Sequence, residues 1–340
     1  MRWGHAALIC VTIAALAGCG SEQDPVAQLR AEVREDPTSV ELRLQLGEAY
    51  LEEESYHDAF IQYSNARELD ENSFEALLGL ATVEERLNNL EGAIGHVNSA
   101  LEMAPDSADA LALKGKLMLR TDEPEKAADA LAEAVALDPD NDAANRFLPV
   151  AYIRSDQRAE AEQAARAAVE RIPDDVDVRI NLATALMARG KSEESEATLR
   201  EAMELDPADP APPLRLAEIL VHEGRGYDEV MQLTQRSLEL DPGQGEADAV
   251  AALALRKQGR AEEAVRRLHA AATTHPRNVR LWLMLAAVYR DMGEDEAAAR
   301  AAAMAFRFAP RRRIRPAAEG ETATGPPPLP PVSEPDSGGD

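Results

Sequence analysis

Cysteine is nearly absent, with Cys10 and Cys19 the only two in 340 residues. That count excludes a disulfide framework and a thiolate zinc site. Aromatic residues make up 4%, too few to fill a β-sandwich or barrel, so the core is expected to be small side chains at close helix–helix spacing. Basic residues are outnumbered, 36 to 62, for a net charge of −26. A surface so negative repels phosphate, and no nucleic-acid partner is expected. Long apolar runs are also missing. The longest, Ala6–Ala17, is too short to cross about 30 Å of hydrocarbon and reads as part of a signal peptide. The apolar fraction of 45% is nevertheless too high for a wholly disordered acidic chain.

Catalytic and metal motifs are present only as fragments. Gly190-Lys191-Ser192 has the end of a phosphate-binding loop but Ala185 where glycine is required. His222-Glu223 opens like a zinc-protease helix, yet Gly226 stands where the second histidine belongs. Asp138, Asp140 and Asp142 imitate a calcium loop until Ala143 replaces its glycine. Gly243-Gln244-Gly245 lacks a third glycine. The histidines at 5, 57, 96, 222, 269 and 275 include no i, i+4 pair. No cofactor, no metal and no enzymatic activity are expected.

What the chain does have is a period. Prolines stand at 105, 139, 173, 207, 242, 276 and 310, spaced by 34 residues with one interval of 35, several in the phrases ALDP and ELDP. Each proline stops a helix and fixes the turn to the next. The register divides the chain into eight units: 40–73, 74–107, 108–141, 142–175, 176–209, 210–244, 245–278 and 279–312. Small residues align within them. The eighth positions include Gly47, Ala81, Gly115 and Ala183; the twentieth, Ala59, Ala93, Ala127 and Ala161; the twenty-seventh, Ala66, Ala100, Ala134 and Ala168. A bulky apolar residue fills the seventh, as at Leu46, Leu80, Leu182 and Leu285. This spacing predicts two amphipathic helices per unit, crossing where only a hydrogen or a methyl fits. No unit can bury both faces alone, so the units must stack.

The pattern resembles the tetratricopeptide repeat. The last unit carries it through Trp282, Leu285, Ala286, Tyr289, Gly293, Ala298, Ala305 and Pro310, and the first through Leu46, Gly47, Tyr50, Ala59, Tyr63 and Ala66. The resemblance implies an all-α, right-handed superhelical α-solenoid of about eight helix hairpins over 40–312. A lipidated linker and cap helix at 19–39 precede it, and a Pro/Gly-rich acidic tail at 313–340 follows. Three departures stand out: Pro149 should kink the first helix of its unit; the sixth unit opens with Pro210, Pro212 and Pro213 and has one extra residue near Gly224-Arg225-Gly226; and the closing helix has no successor to cover Ala298, Ala301, Ala302 and Ala305.

Leu16-Ala17-Gly18-Cys19 resembles the lipobox of bacterial lipoproteins. It implies a signal peptide over 1–18, cleavage before Cys19, and acyl chains on that residue holding the protein to a membrane, with Gly20 favouring the outer membrane and a periplasmic body. In the repeat family the first helix of each unit lines a concave groove. Its thirteenth position gives Arg86, Arg120 and Arg154, then His222 and Lys257. Lys116, Arg146, Arg215 and Arg256 add to that face, with Asn181 between them. These residues are the expected partner-binding groove, suited to acidic segments of other envelope proteins. The lysine–asparagine clamp of chaperone-binding members is replaced by Leu44 and Glu48. The implied role is a non-catalytic envelope scaffold or adaptor in assembly of a cell-envelope machine. The alternatives are an accessory subunit of exopolysaccharide or protein export, or a pilotin for type IV pilus assembly.

Overall fold

The computed structural model describes residues 24–243 and 245–309; among them lie seventeen α-helices and no strand. The expected signal peptide, with Cys19, and the expected tail at 313–340 fall outside the described residues. A single helix α1 (Pro25–Glu35) comes first, followed by α2 (Val40–Glu52), α3 (Tyr56–Leu69), α4 (Phe74–Arg86), α5 (Leu90–Met103), α6 (Ala108–Arg120) and α7 (Pro124–Leu137). Next are α8 (Asp142–Arg154), α9 (Arg158–Arg171), α10 (Val176–Ala188), α11 (Ser192–Leu205), α12 (Ala211–Glu223) and α13 (Tyr227–Leu240). The series ends with α14 (Gly245–Lys257), α15 (Ala261–Thr274), α16 (Val279–Asp291) and α17 (Asp295–Phe308). From α2 onward, helices of 13 and 14 residues alternate. The chain divides into two compact bodies after Ala254. In the first, each helix from α1 to α13 packs on its neighbours in sequence, which makes an all-helical repeat solenoid. In the second, α16 packs against both α15 and α17.

Local chemistry sets the helix ends. The aspartate of the recurring Asp-Pro phrase folds its side chain over the turn: Asp36, Asp138, Asp206 and Asp241 each accept the backbone N–H two residues on, as does Asp70 where Glu71 replaces the proline. The calcium-like Asp138 is therefore a turn former. A hydroxyl, carboxamide or carboxylate then caps the next helix. Ser39, Ser73, Ser107, Asn141 and Asp175 accept the N–H three residues ahead, at 2.9–3.3 Å. Every hairpin has a left-handed residue, at Glu54, Asn88, Asp122, Asp156, Gly190, Gly224, Gly259 and Gly293, and the sixth has a second, Gly226. Asparagine, aspartate and glycine suit that backbone, and glutamate does not. Glu54→Gly should therefore raise stability by about 0.5–1 kcal/mol. Gly190→Ala, whose new methyl would meet nothing within 4 Å, should lower it by about 1–2 kcal/mol. Urea midpoints of the two variants check both signs.

The small-residue columns lie where the helices cross. Ala59, Ala66, Ala93, Ala100, Ala127 and Ala134 are fully buried. Tyr63 of α3 lies between Gly47 of α2 and Gly79 of α4, where an added Cβ would come within 2.9 Å and 2.4 Å of its ring. Where the columns turn polar the hydroxyl is satisfied internally: buried Ser195 donates to the Ala183 carbonyl at 2.7 Å.

Pro149 is buried inside α8, which runs unbroken to Arg154. Proline removes the N–H that would reach the Asn145 carbonyl, and one residue on the Arg146 carbonyl accepts from Asn181 of the next hairpin at 3.0 Å. Of the four alanines expected to lie uncovered on α17, three are covered and Ala302 is half-buried. Ala298, Ala301 and Ala305 are buried, because those columns face the partner helix of the same hairpin. The apolar side chain that does stand out is Phe306, 86% exposed. The sixth hairpin begins as its prolines require, with Pro212 and Pro213 in the first turn of α12.

Candidate functional site

In the first body the first helices of successive hairpins touch one another (α2 on α4, α4 on α6, α6 on α8, α8 on α10, α10 on α12), whereas the second helices do not. A stack whose members are closest along one side curves toward that side, so the free faces of these first helices form its inner surface. Lys116, Arg120, Arg146, Arg154, Arg215 and His222 belong to these helices, as does Arg86. Arg256 and Lys257, at the end of α14, belong to the second body. There Arg256 pairs with Asp291.

The recurring arginines are not a row of unengaged cations. Arg120 donates to the Glu85 carbonyl at 2.8 Å, the Glu85 carboxylate at 2.9 Å and Asn88 Oδ1 at 2.7 Å. Arg154 does the same one repeat later, to the Leu119 carbonyl at 2.7 Å and Asp122 Oδ1 at 2.6 Å. Each guanidinium thus caps the C-terminal end of the preceding first helix, where carbonyls lack partners and the helix dipole is negative. It also holds the side chain of the left-handed turn residue. The 34-residue recurrence of these arginines is a staple between adjacent repeats. Lys116 adds to the first staple, 2.8 Å from Glu85 Oε2, and its ammonium lies 5.7 Å from the centre of the Phe147 ring. Arg146 pairs with Asp175, and its shielded Nε has no partner among the described residues. Among the described residues Arg215 reaches only Glu218, on its own helix, at 2.8 Å. Arg86 is exposed and makes no hydrogen bond or ion pair among the described residues.

Two recesses open on this inner surface. One, of about 400 Å³, lies along α4, α6 and α8 and is lined by Leu78, Lys116, Arg146 and Phe147 among others. The larger, of about 570 Å³, lies between α10 and α12 with Ile180, Met187 and Ile219 on its walls. Two models of the family described as Tetratricopeptide repeat match the sequence, one over residues 155–211 and 255–317, the other over 44–108 and 78–142. The chain belongs to the tetratricopeptide-repeat family. Among solved structures, a tetratricopeptide repeat protein from Parabacteroides merdae superposes with a TM-score of 0.58 at 17% identity, covering 78% of this chain and 98% of that one. The Cut9–Hcn1 hetero-tetramer of the APC/C gives 0.57 at 14% identity, covering 85% of this chain and 56% of that one. YrrB, titled a tetratricopeptide protein with an unusual peptide-binding site, gives 0.43 at 18% identity and covers 54% and 94%. No curated protein matches.

A tetratricopeptide solenoid presents surfaces for protein–protein interaction, and such repeats generally act as non-catalytic scaffolds. Among the described residues no group of histidine, cysteine and carboxylate side chains is placed to hold a metal, and no helix is long and apolar enough to cross a membrane. The lysine of Gly190-Lys191-Ser192 is bound 2.6 Å from Glu162 Oε1. That pairing, with the charges of Lys191 and Arg166, keeps the Glu162 carboxyl below the usual carboxylate range against the opposing effect of burial. Sequence alone pointed to the cationic side chains but missed their anchors, Glu85, Asn88 and Asp122. It also missed the α10–α12 cleft. The available signal was His222, which stands in the arginine column of the proline-rich unit.

Proposed function

We propose that this tetratricopeptide chain is a non-catalytic scaffold of a bacterial cell envelope, tethered through a lipidated Cys19 to the outer membrane and facing the periplasm. Its inner surface binds segments of other envelope proteins and so assembles or positions a cell-envelope machine. The reading rests on the continuous inner face of first helices, which offers two recesses, an unengaged Arg86 and apolar side chains along several repeats. The Leu16-Ala17-Gly18-Cys19 sequence supports the tether. A single acyl chain binds a bilayer only marginally, whereas two or more hold a protein stably.

Both halves of the proposal can be tested in the producing cell. A photo-cross-linking amino acid at Leu78 or Arg86 should capture envelope proteins, and the same group on an outer helix, at Glu133, should not. Capture only from the outer position would overturn the groove. Cys19→Ala should abolish incorporation of labelled palmitate and release the protein from the membrane fraction. Unchanged fractionation and labelling would remove the tether.

A further inference from the structure

The gaps between first helices are not alike. The α4–α6 and α6–α8 gaps are crossed by Arg120 and Arg154. At the α10–α12 gap the same column carries His222, and the following turn holds two left-handed residues, Gly224 and Gly226, in place of one. Here the inner face opens into its 570 Å³ cleft, within the range of about 300–1,000 Å³ typical of ligand-holding clefts. Ile180, Met187, Leu199 and Ile219 make its apolar lining.

Two polar side chains on the lining have capacity to spare. Asn181 commits its amide nitrogen to the Arg146 carbonyl, which fixes the direction of the amide. Its Oδ1 accepts nothing among the described residues. Arg215 uses one nitrogen on Glu218, the one carboxylate among the lining residues. A guanidinium has five N–H donors. Arg166 and Arg225 of this same chain each hold two carboxylates, so Arg215 can take a second. An apolar lining, an oriented acceptor and a planar cation together complement a peptide main chain with an anchoring side chain and an acidic neighbour.

The geometry points to the α10–α12 cleft as the seat of a bulky apolar side chain from an extended partner segment. The segment's adjoining N–H donates to Asn181 Oδ1 and a nearby carboxylate binds Arg215. This assignment rests on the inner face being the protein-binding surface, and it names the partner's chemistry.

Phage-displayed random dodecapeptides, selected on the full chain and then measured singly by fluorescence polarisation, test it. Selected peptides should share a bulky apolar residue beside Asp or Glu. Thr184→Trp, on the exposed rim, should fill the cleft and weaken binding at least tenfold. Arg215→Gln should weaken it about fivefold or more and leave the circular dichroism unchanged. In protein with labelled methionine methyls, the Met187 signal, assigned through Met187→Leu, should shift on binding. Affinities indifferent to both substitutions, a still Met187 methyl, or no selected peptide at all would overturn the cleft. Should such indifferent peptides still cross-link from Leu78, the inner-face reading survives the loss; cross-links only from Glu133 would end both.

Discussion

Leu131→Ala should destabilise the chain by about 2–5 kcal/mol, and Gly115→Ala, on the facing helix, by about 1–3 kcal/mol. Leu131 of α7 is fully buried, and a Cβ added to Gly115 of α6 would stand 2.4 Å from its Cγ. Helix propensity alone predicts the opposite sign for the glycine, a gain of nearly 1 kcal/mol for alanine. The sign therefore decides whether close approach or backbone entropy governs the eighth column. The double variant carries the sharper test. Once Leu131 is truncated the new methyl has room, so the combined loss should be smaller than the sum of the single losses. Repeat arrays do not always unfold in one step, so urea midpoints should be paired with hydrogen exchange, where lost protection should concentrate in α6 and α7. An additive cycle, or a stabilising Gly115→Ala, would show that the two helices do not meet as described.

The fold was legible because the constraint that builds it is written in residue size at fixed spacing. Ala59, Ala93 and Ala127, one repeat apart, admit a single arrangement of crossing helices, and the prolines mark where each hairpin ends. The site was less legible, because a cation's position in the sequence does not say what it touches. Arg86, Arg120 and Arg154 look equivalent at a 34-residue spacing, yet only the last two reach back to the preceding helix end. Their acceptors are a main-chain carbonyl and a left-handed turn residue, features visible only once the backbone is placed. Pro149 shows the same limit. Its lost hydrogen bond was foreseen, but not that Asn181, 32 residues on, would serve a carbonyl beside it.

Glu85 is where this stapling can be measured. Its carboxylate is only 6% exposed and meets Lys116 at 2.8 Å and Arg120 at 2.9 Å, their side chains 27% and 34% exposed. Removing one partner of a shielded pair leaves the other desolvated without compensation, and the partial exposure of both cations moderates the cost. Glu85→Gln should therefore cost about 1–3 kcal/mol at neutral pH. Burial by itself pushes the Glu85 carboxyl up, but hydrogen bonds and charge from Lys116 and Arg120 outweigh it and hold the group below 4.5. The unfolded chain then takes up a proton at higher pH than the folded one. This contribution is whole above 4.5 and is lost as the pH falls through the folded value. Urea midpoints from pH 7 down to pH 3 should converge for wild type and Glu85→Gln; parallel curves would mean that the carboxylate is not held by its two cations. The same pairing bears on the groove. Substituting Arg120 alters the joint between repeats as well as any partner contact, whereas Arg86→Gln should leave the midpoint unchanged. A partner that depends on the basic side chains should thus respond to Arg86 in a chain of undiminished stability.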